Sequence, residues 1–150
     1  MKKYYVILLI IMASGFYCKA QFSNDLSIHP LLNEGETKYK ELVDRSKIIE
    51  RFEIDVINQS ENRNTPLRLI SGKTYSIILL VEKERVSEFE LKIYSAVDKT
   101  IVLKNETNNP SNILETTFQP EKTDNYEFEI IARKFIGVNN SGRYCLIIAS

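Results

Sequence analysis

From Phe52 to the end of the chain, apolar and polar residues repeat with a period of two, and that repeat commits most of the molecule to β-structure. Phe52, Ile54 and Val56 alternate with Glu53 and Asp55, the signature of a half-buried strand. Tyr75 to Val81 is a nearly unbroken apolar run introduced by Ser71-Gly72-Lys73, and its length suits a central strand better than a helix. Phe89, Leu91 and Ile93 are expected to face inward against Glu88, Glu90 and Lys92. Asp98-Lys99 then offers a tight turn into Thr100 to Lys104, which predicts a hairpin. Leu114, Thr116 and Phe118 form a further alternating set that stops at Pro120. Tyr126, Phe128, Ile130 and Ala132 form another against Glu127, Glu129 and Arg133, and Arg143 to Ala149 is apolar on both faces. With a short strand from Pro66 to Ile70, the pattern predicts an all-β chain, an antiparallel β-sandwich of jelly-roll type with about eight strands.

The stretch before this pattern reads differently. Tyr39, Leu42, Val43 and Ile49 follow a helical spacing with Lys and Glu between them, so the lead-in over residues 21–49 fits a short amphipathic helix or an irregular segment. The Asn-, Ser- and Thr-rich stretches Asn58 to Thr65, Asn105 to Asn112 and Gly137 to Gly142 are expected as exposed loop tips. No repeat or linker divides the remainder, so residues 50–150 are expected to form one β-sandwich domain.

Residues 1–20 have the pattern of a secretory signal peptide. Lys2 and Lys3 give a positive start, Tyr4 to Ala13 is apolar, and Cys18 and Ala20 place small residues before a cleavage site at Gln21. A run of ten apolar residues is shorter than the ~20 needed to cross a bilayer, so no transmembrane anchor is expected after cleavage. A lipoprotein with Cys18 as the lipidated residue is the other export reading, although Tyr17 and Gly15 depart from its usual motif. Cleavage removes three lysines and no acid, so the formal charge moves from zero to −3. It also leaves Cys145 alone, without an intrachain disulfide partner. The expected location is periplasmic or secreted.

A charge balance of 20 Lys+Arg against 20 Asp+Glu excludes a basic nucleic-acid binder, and one His with two Cys cannot assemble a structural zinc site.

Four local patterns stand in order: Leu69 with Gly72-Lys73-Thr74-Tyr75-Ser76-Ile77, then Phe89-Glu90-Leu91-Lys92-Ile93-Tyr94, then Thr117-Phe118-Gln119-Pro120 leading to Tyr126, then Gly142-Arg143-Tyr144-Cys145-Leu146. Together they make residues 50 to 150 resemble the bacterial pre-peptidase C-terminal domain and its stand-alone secreted relatives. One departure is Asp124-Asn125 before Tyr126, where the family commonly has Gly; Asn tolerates the left-handed conformation such a turn uses. The resemblance implies an antiparallel jelly-roll-like sandwich on exported proteins, often appended to hydrolases and not itself catalytic.

The candidate site residues give no catalytic constellation. His29 stands beside Pro30 in the lead-in with Ser27 too close in sequence to serve it across a cleft, and there is no G-x-S-x-G elbow. Cys145 lies in a strand apolar on both faces and is expected to be buried and inert. Calcium would need six to eight oxygens, for which Asp124-Asn125, Asn139-Asn140 and Asp98 are the loop candidates, but no D-x-D-x-D loop is present. Glu82, Glu84, Glu88, Glu90, Glu127 and Glu129 fall at strand spacing on outward faces and are expected to be solvated. A glycan platform would rest on Tyr39 and Tyr94, because Tyr75, Tyr126 and Tyr144 follow the core periodicity and Trp is absent. Tyr126 is expected to tie its hydroxyl back to nearby backbone, in the manner of a tyrosine corner. Asn58-Gln59-Ser60, Asn105-Glu106-Thr107 and Asn139-Asn140-Ser141 match glycosylation acceptors by chance in Asn-rich loops. No catalytic, cofactor or metal residue is assigned. The expectation is a small exported, non-catalytic module with a protein or cell-envelope partner, or else a calcium- or carbohydrate-binding module.

Overall fold

The computed structural model describes residues 30–97, 99–107 and 111–150. The signal-peptide pattern, Cys18, Ser27, His29 and Asp98 lie outside the described residues. Among the described residues one helix, α1 (Pro30–Asp44), precedes eight strands: β1 (Ile49–Asn58), β2 (Asn62–Leu69), β3 (Tyr75–Val81), β4 (Val86–Ser95), β5 (Ile101–Thr107), β6 (Ile113–Phe118), β7 (Asp124–Phe135) and β8 (Ser141–Ala149). All the strand pairings are antiparallel, in two four-stranded sheets of order β1-β8-β3-β6 and β2-β7-β4-β5. Successive strands cross between the sheets until β4 and β5 pair as the hairpin their sequence predicts, which is the order of an eight-stranded jelly roll.

Alternation along each strand divides its residues between a shared core and an outer face. Tyr75, Ile77, Leu79 and Val81 of β3 meet Phe89, Leu91 and Ile93 of β4, Phe128 and Ile130 of β7, and Tyr144, Leu146 and Ile148 of β8. The runs that are apolar on both faces have a second task. Ile78 and Leu80 of β3 and Cys145, Ile147 and Ala149 of β8 face away from the core, and α1 covers them with Leu31 and Leu42. Gly35 lies directly over the thiol: a Cβ there would stand 3.0 Å from Cys145 Sγ. Lys38 of α1 joins Glu115 of β6 at 2.7 Å, and Glu34 accepts from Asn112 at 2.7 Å.

Several sequence expectations need correction. Ile49, placed with the helical spacing, already belongs to β1. The three expected loops are shorter than the Asn-rich stretches, because β1 runs to Asn58, β2 starts at Asn62, β5 runs to Thr107 and β8 starts at Ser141. Ladder bonding overrides the turn preference of Asn: Gln59 N–H donates to Asn140 O at 2.7 Å beyond the nominal strand ends. Pro66 sits in β2, an edge strand, where a missing N–H is tolerated.

Candidate functional site

Among the described residues, an apolar seam between α1 and β1 and a cavity at one end of the sandwich stand out on the surface.

The seam arises from an inversion in β1. Phe52, Ile54 and Val56 are paired in register with Ile147, Cys145 and Arg143, so they lie on the outer face of the sheet. The helix covers the β8 and β3 part of that face and reaches β1 only at its margin, leaving these three side chains 41, 37 and 38% exposed. The half-buried strand therefore keeps its apolar face open. Its acidic face points into the sandwich, where Glu53 Oε1 accepts from the Tyr144 hydroxyl at 2.7 Å and from Thr65 Oγ1 at 2.9 Å. Arg51 Nε lies 3.2 Å from the other carboxylate oxygen. Tyr144 and Thr65 are buried, so the carboxylate satisfies two hydroxyls that would otherwise lack a partner. Burial, then the bond to Glu53, raise the Tyr144 pKa well above the usual phenol range. Tyr39 of α1 meets Phe52 edge-on at 5.7 Å; Val43 of the same helix and Ile48 beyond its end are also exposed apolar residues.

The cavity, of about 570 Å³, opens between β5 and β6. It is lined by Val97, Val102 and Phe118, by Gln119 and Lys122 of the β6–β7 connection, and by Asp124, which with Asn125 opens β7 rather than forming the loop the sequence suggested. Tyr126 forms part of its floor, edge-on to Phe118 at 5.5 Å, and its hydroxyl donates to Lys122 O at 3.0 Å. That bond is the tie-back expected of a tyrosine corner.

The opposite face of the molecule, the outer side of the second sheet, is ionic. The solvated strand face expected there is corrected at Glu90, which has no exposed surface. Arg133 Nε donates to Glu90 Oε2 at 2.6 Å, and the ammonium groups of Lys104 and Lys92 stand 3.4 and 3.6 Å from Oε1. The cations lie over the carboxylate and keep water from it. Neighbouring Glu129 accepts from the Tyr94 hydroxyl at 2.8 Å and from Asn62 at 2.7 Å. Burial works to raise the pKa of Glu129, but these bonds and Lys92 outweigh it and hold the carboxyl below its usual range. Tyr94, a candidate outward ring, is thereby held in this network rather than offered to a ligand.

Cys145 is fully buried under α1, and burial pushes its thiol pKa up to about 12. Tyr75, Tyr126 and Tyr144 are in the core as their spacing predicts. Among the described residues no three His, Cys, Asp or Glu side chains converge as a metal site. No described helix is long and apolar enough to cross a membrane. The seam escaped sequence reasoning because alternation gives the two faces of β1 without saying which one meets the core; the clue was the doubly apolar β3 and β8, whose outer faces needed a cover.

No family model matches the sequence, and no curated protein matches it. Among solved structures, the fold is similar to the pre-peptidase C-terminal domain of collagenase from Bacillus anthracis, with a TM-score of 0.52 and 16% identity over 67% of this chain and 89% of that one. A Yersinia pseudotuberculosis-derived mitogen aligns with a TM-score of 0.49 and 10% identity, over 68% of this chain and 85% of that chain. The similarity to the collagenase domain bears out the resemblance read from the four sequence patterns, at the level of the fold.

Proposed function

We propose that this chain is an exported, non-catalytic interaction module that engages a protein partner of the cell envelope or secretome through the α1–β1 seam. The observation that carries the reading is the row of Phe52, Ile54 and Val56, continued by Tyr39 on the helix. Exposed apolar side chains set side by side on one face are a feature of partner surfaces. The N-terminal signal-peptide pattern supports export. The test is photo-cross-linking from a probe at position 54 in the envelope and secreted fractions of the native cells, with a second probe at exposed Val138 as control. A partner captured from position 54, absent from the control and lost on Phe52→Ser, supports the reading. Identical capture from both positions refutes it.

A second reading rests on the cavity. Its apolar lining at Val97, Val102 and Phe118 and its polar lining at Gln119 and Asp124 suit a small carbohydrate. A saccharide bound there raises the melting temperature as mass action requires. No shift across a panel of neutral oligosaccharides refutes it.

A further inference from the structure

β1 lies at the edge of its sheet and is paired there with β8 alone. Antiparallel partners alternate between bonded and unbonded pairs, and the bond from Gln59 N–H to Asn140 O fixes the phase. Ile57, Asp55 and Glu53 therefore exchange bonds with β8, while Val56, Ile54 and Phe52 turn their backbone groups to the open side. Val56 confirms the phase. Its N–H donates to Asp55 Oδ1 at 2.7 Å, and its carbonyl accepts from Arg63 Nε at 2.9 Å. Two side chains thus close the edge at Val56, which is one way folded proteins protect an edge from pairing. Among the described residues no side chain does the same at Ile54 or Phe52.

A strand added at this edge would have two different neighbours. On the outer face its side chains would stand beside Phe52 and Ile54, and on the inner face beside Arg51, Glu53 and Asp55. The edge therefore asks for alternation of apolar and polar residues in whatever pairs with it. At the Val56 end, exposed Arg143 shares the outer face and has no ion pair among the described residues. That end favours a carboxylate.

Resting on the interaction reading of the seam, we propose that the open edge of β1 at Phe52 and Ile54 accepts an extended segment of another protein by antiparallel strand addition. The segment alternates apolar with polar residues and carries an acidic side chain where it passes Val56 and Arg143. Backbone bonds supply the attachment and the outer apolar row supplies the selectivity, as in other strand-addition complexes.

The probe is a synthetic peptide alternating valine with threonine, with one glutamate at its amino end, titrated into the ¹⁵N-labelled chain. Amide shifts centred on Phe52, Ile54 and Arg143 are expected. A peptide with proline at the position opposite Ile54 lacks the donor and binds at least about tenfold more weakly, and one with lysine for the glutamate is also weakened. Equal binding of the proline peptide, shifts centred elsewhere, or no shift overturns the proposal. So does a dimer in sedimentation of the chain alone that is lost on Ile54→Lys, which gives the edge to a second copy. Slow hydrogen exchange at Phe52 and Ile54 in the free chain also overturns it, because the chain then covers its own edge. Persistence of the position-54 cross-link alongside any of these failures leaves the interaction reading standing and removes strand addition alone.

Discussion

Gly35 and Cys145 meet at the junction of helix and sheet: no side chain separates the α1 backbone from the β8 thiol, and a Cβ at Gly35 would lie 3.0 Å from Sγ. The contact fixes how closely α1 can seat on the sheet, and the helix in turn buries the thiol. A thiol reagent applied to the native protein is expected to label Cys145 slowly, since only opening of α1 or of the whole fold exposes it. Gly35→Leu lifts the helix and speeds labelling, while far-ultraviolet circular dichroism still reports the β-sandwich. Rapid labelling of the unsubstituted chain would contradict this packing.

The same burial makes stability fall at high pH. The Cys145 pKa is raised from 9.0 to about 12, so the folded state holds a proton that the unfolded state releases. Its contribution is fully present below about pH 9 and is lost as pH rises through that window towards 12. Tyr144, raised in the same direction, adds to the loss at the alkaline end. Unfolding by urea at pH 8, 9 and 10 should show a declining free energy, with a shallower decline in Cys145→Ala, as measured by fluorescence.

Tyr126→Phe removes the hydroxyl that donates to Lys122 O and leaves the ring against Phe118. The expected loss is about 1 kcal/mol, read as a lower urea midpoint with an unchanged slope. An unchanged midpoint would show that the tie-back adds nothing to stability.

Glu90 and Arg133 should be coupled despite their place on an outer sheet face. Glu90 has no exposed surface, so its interaction with the guanidinium is less screened than that of an ordinary surface pair. A double-mutant cycle of Glu90→Gln and Arg133→Gln is expected to give a coupling of about 1 kcal/mol or more that changes little with added salt. A coupling that vanishes in salt would place the pair with ordinary surface contacts.

Inverting β1 has a measurable consequence as well. Glu53→Leu makes the inner face apolar but leaves the buried Tyr144 and Thr65 hydroxyls without their acceptor. The substitution should destabilise by about 1–3 kcal/mol even though it increases hydrophobicity. A stabilised Glu53→Leu variant would show that the acidic face is not required inside.

The strands were legible in the sequence because a two-residue period needs only local information: β3 spans Tyr75–Val81, the limits its apolar run suggests, and β4 with β5 forms the hairpin expected from its turn. The burial of Tyr75, Tyr126 and Tyr144 followed from the same period. What local pattern could not give was the sign of each face. Glu53 enters the sandwich because Thr65 and Tyr144, 12 and 91 positions away in the chain, converge on it, and Glu90 is buried because Lys104 and Arg133 come over it from the strands on either side. The sequence by itself determined that the chain alternates into an antiparallel sandwich, since strand formation and core composition depend on neighbours two residues apart. Tertiary structure alone decided that α1 covers β3 and β8 but leaves Phe52 and Ile54 beside an open strand edge, because exposure is set by which distant elements pack together.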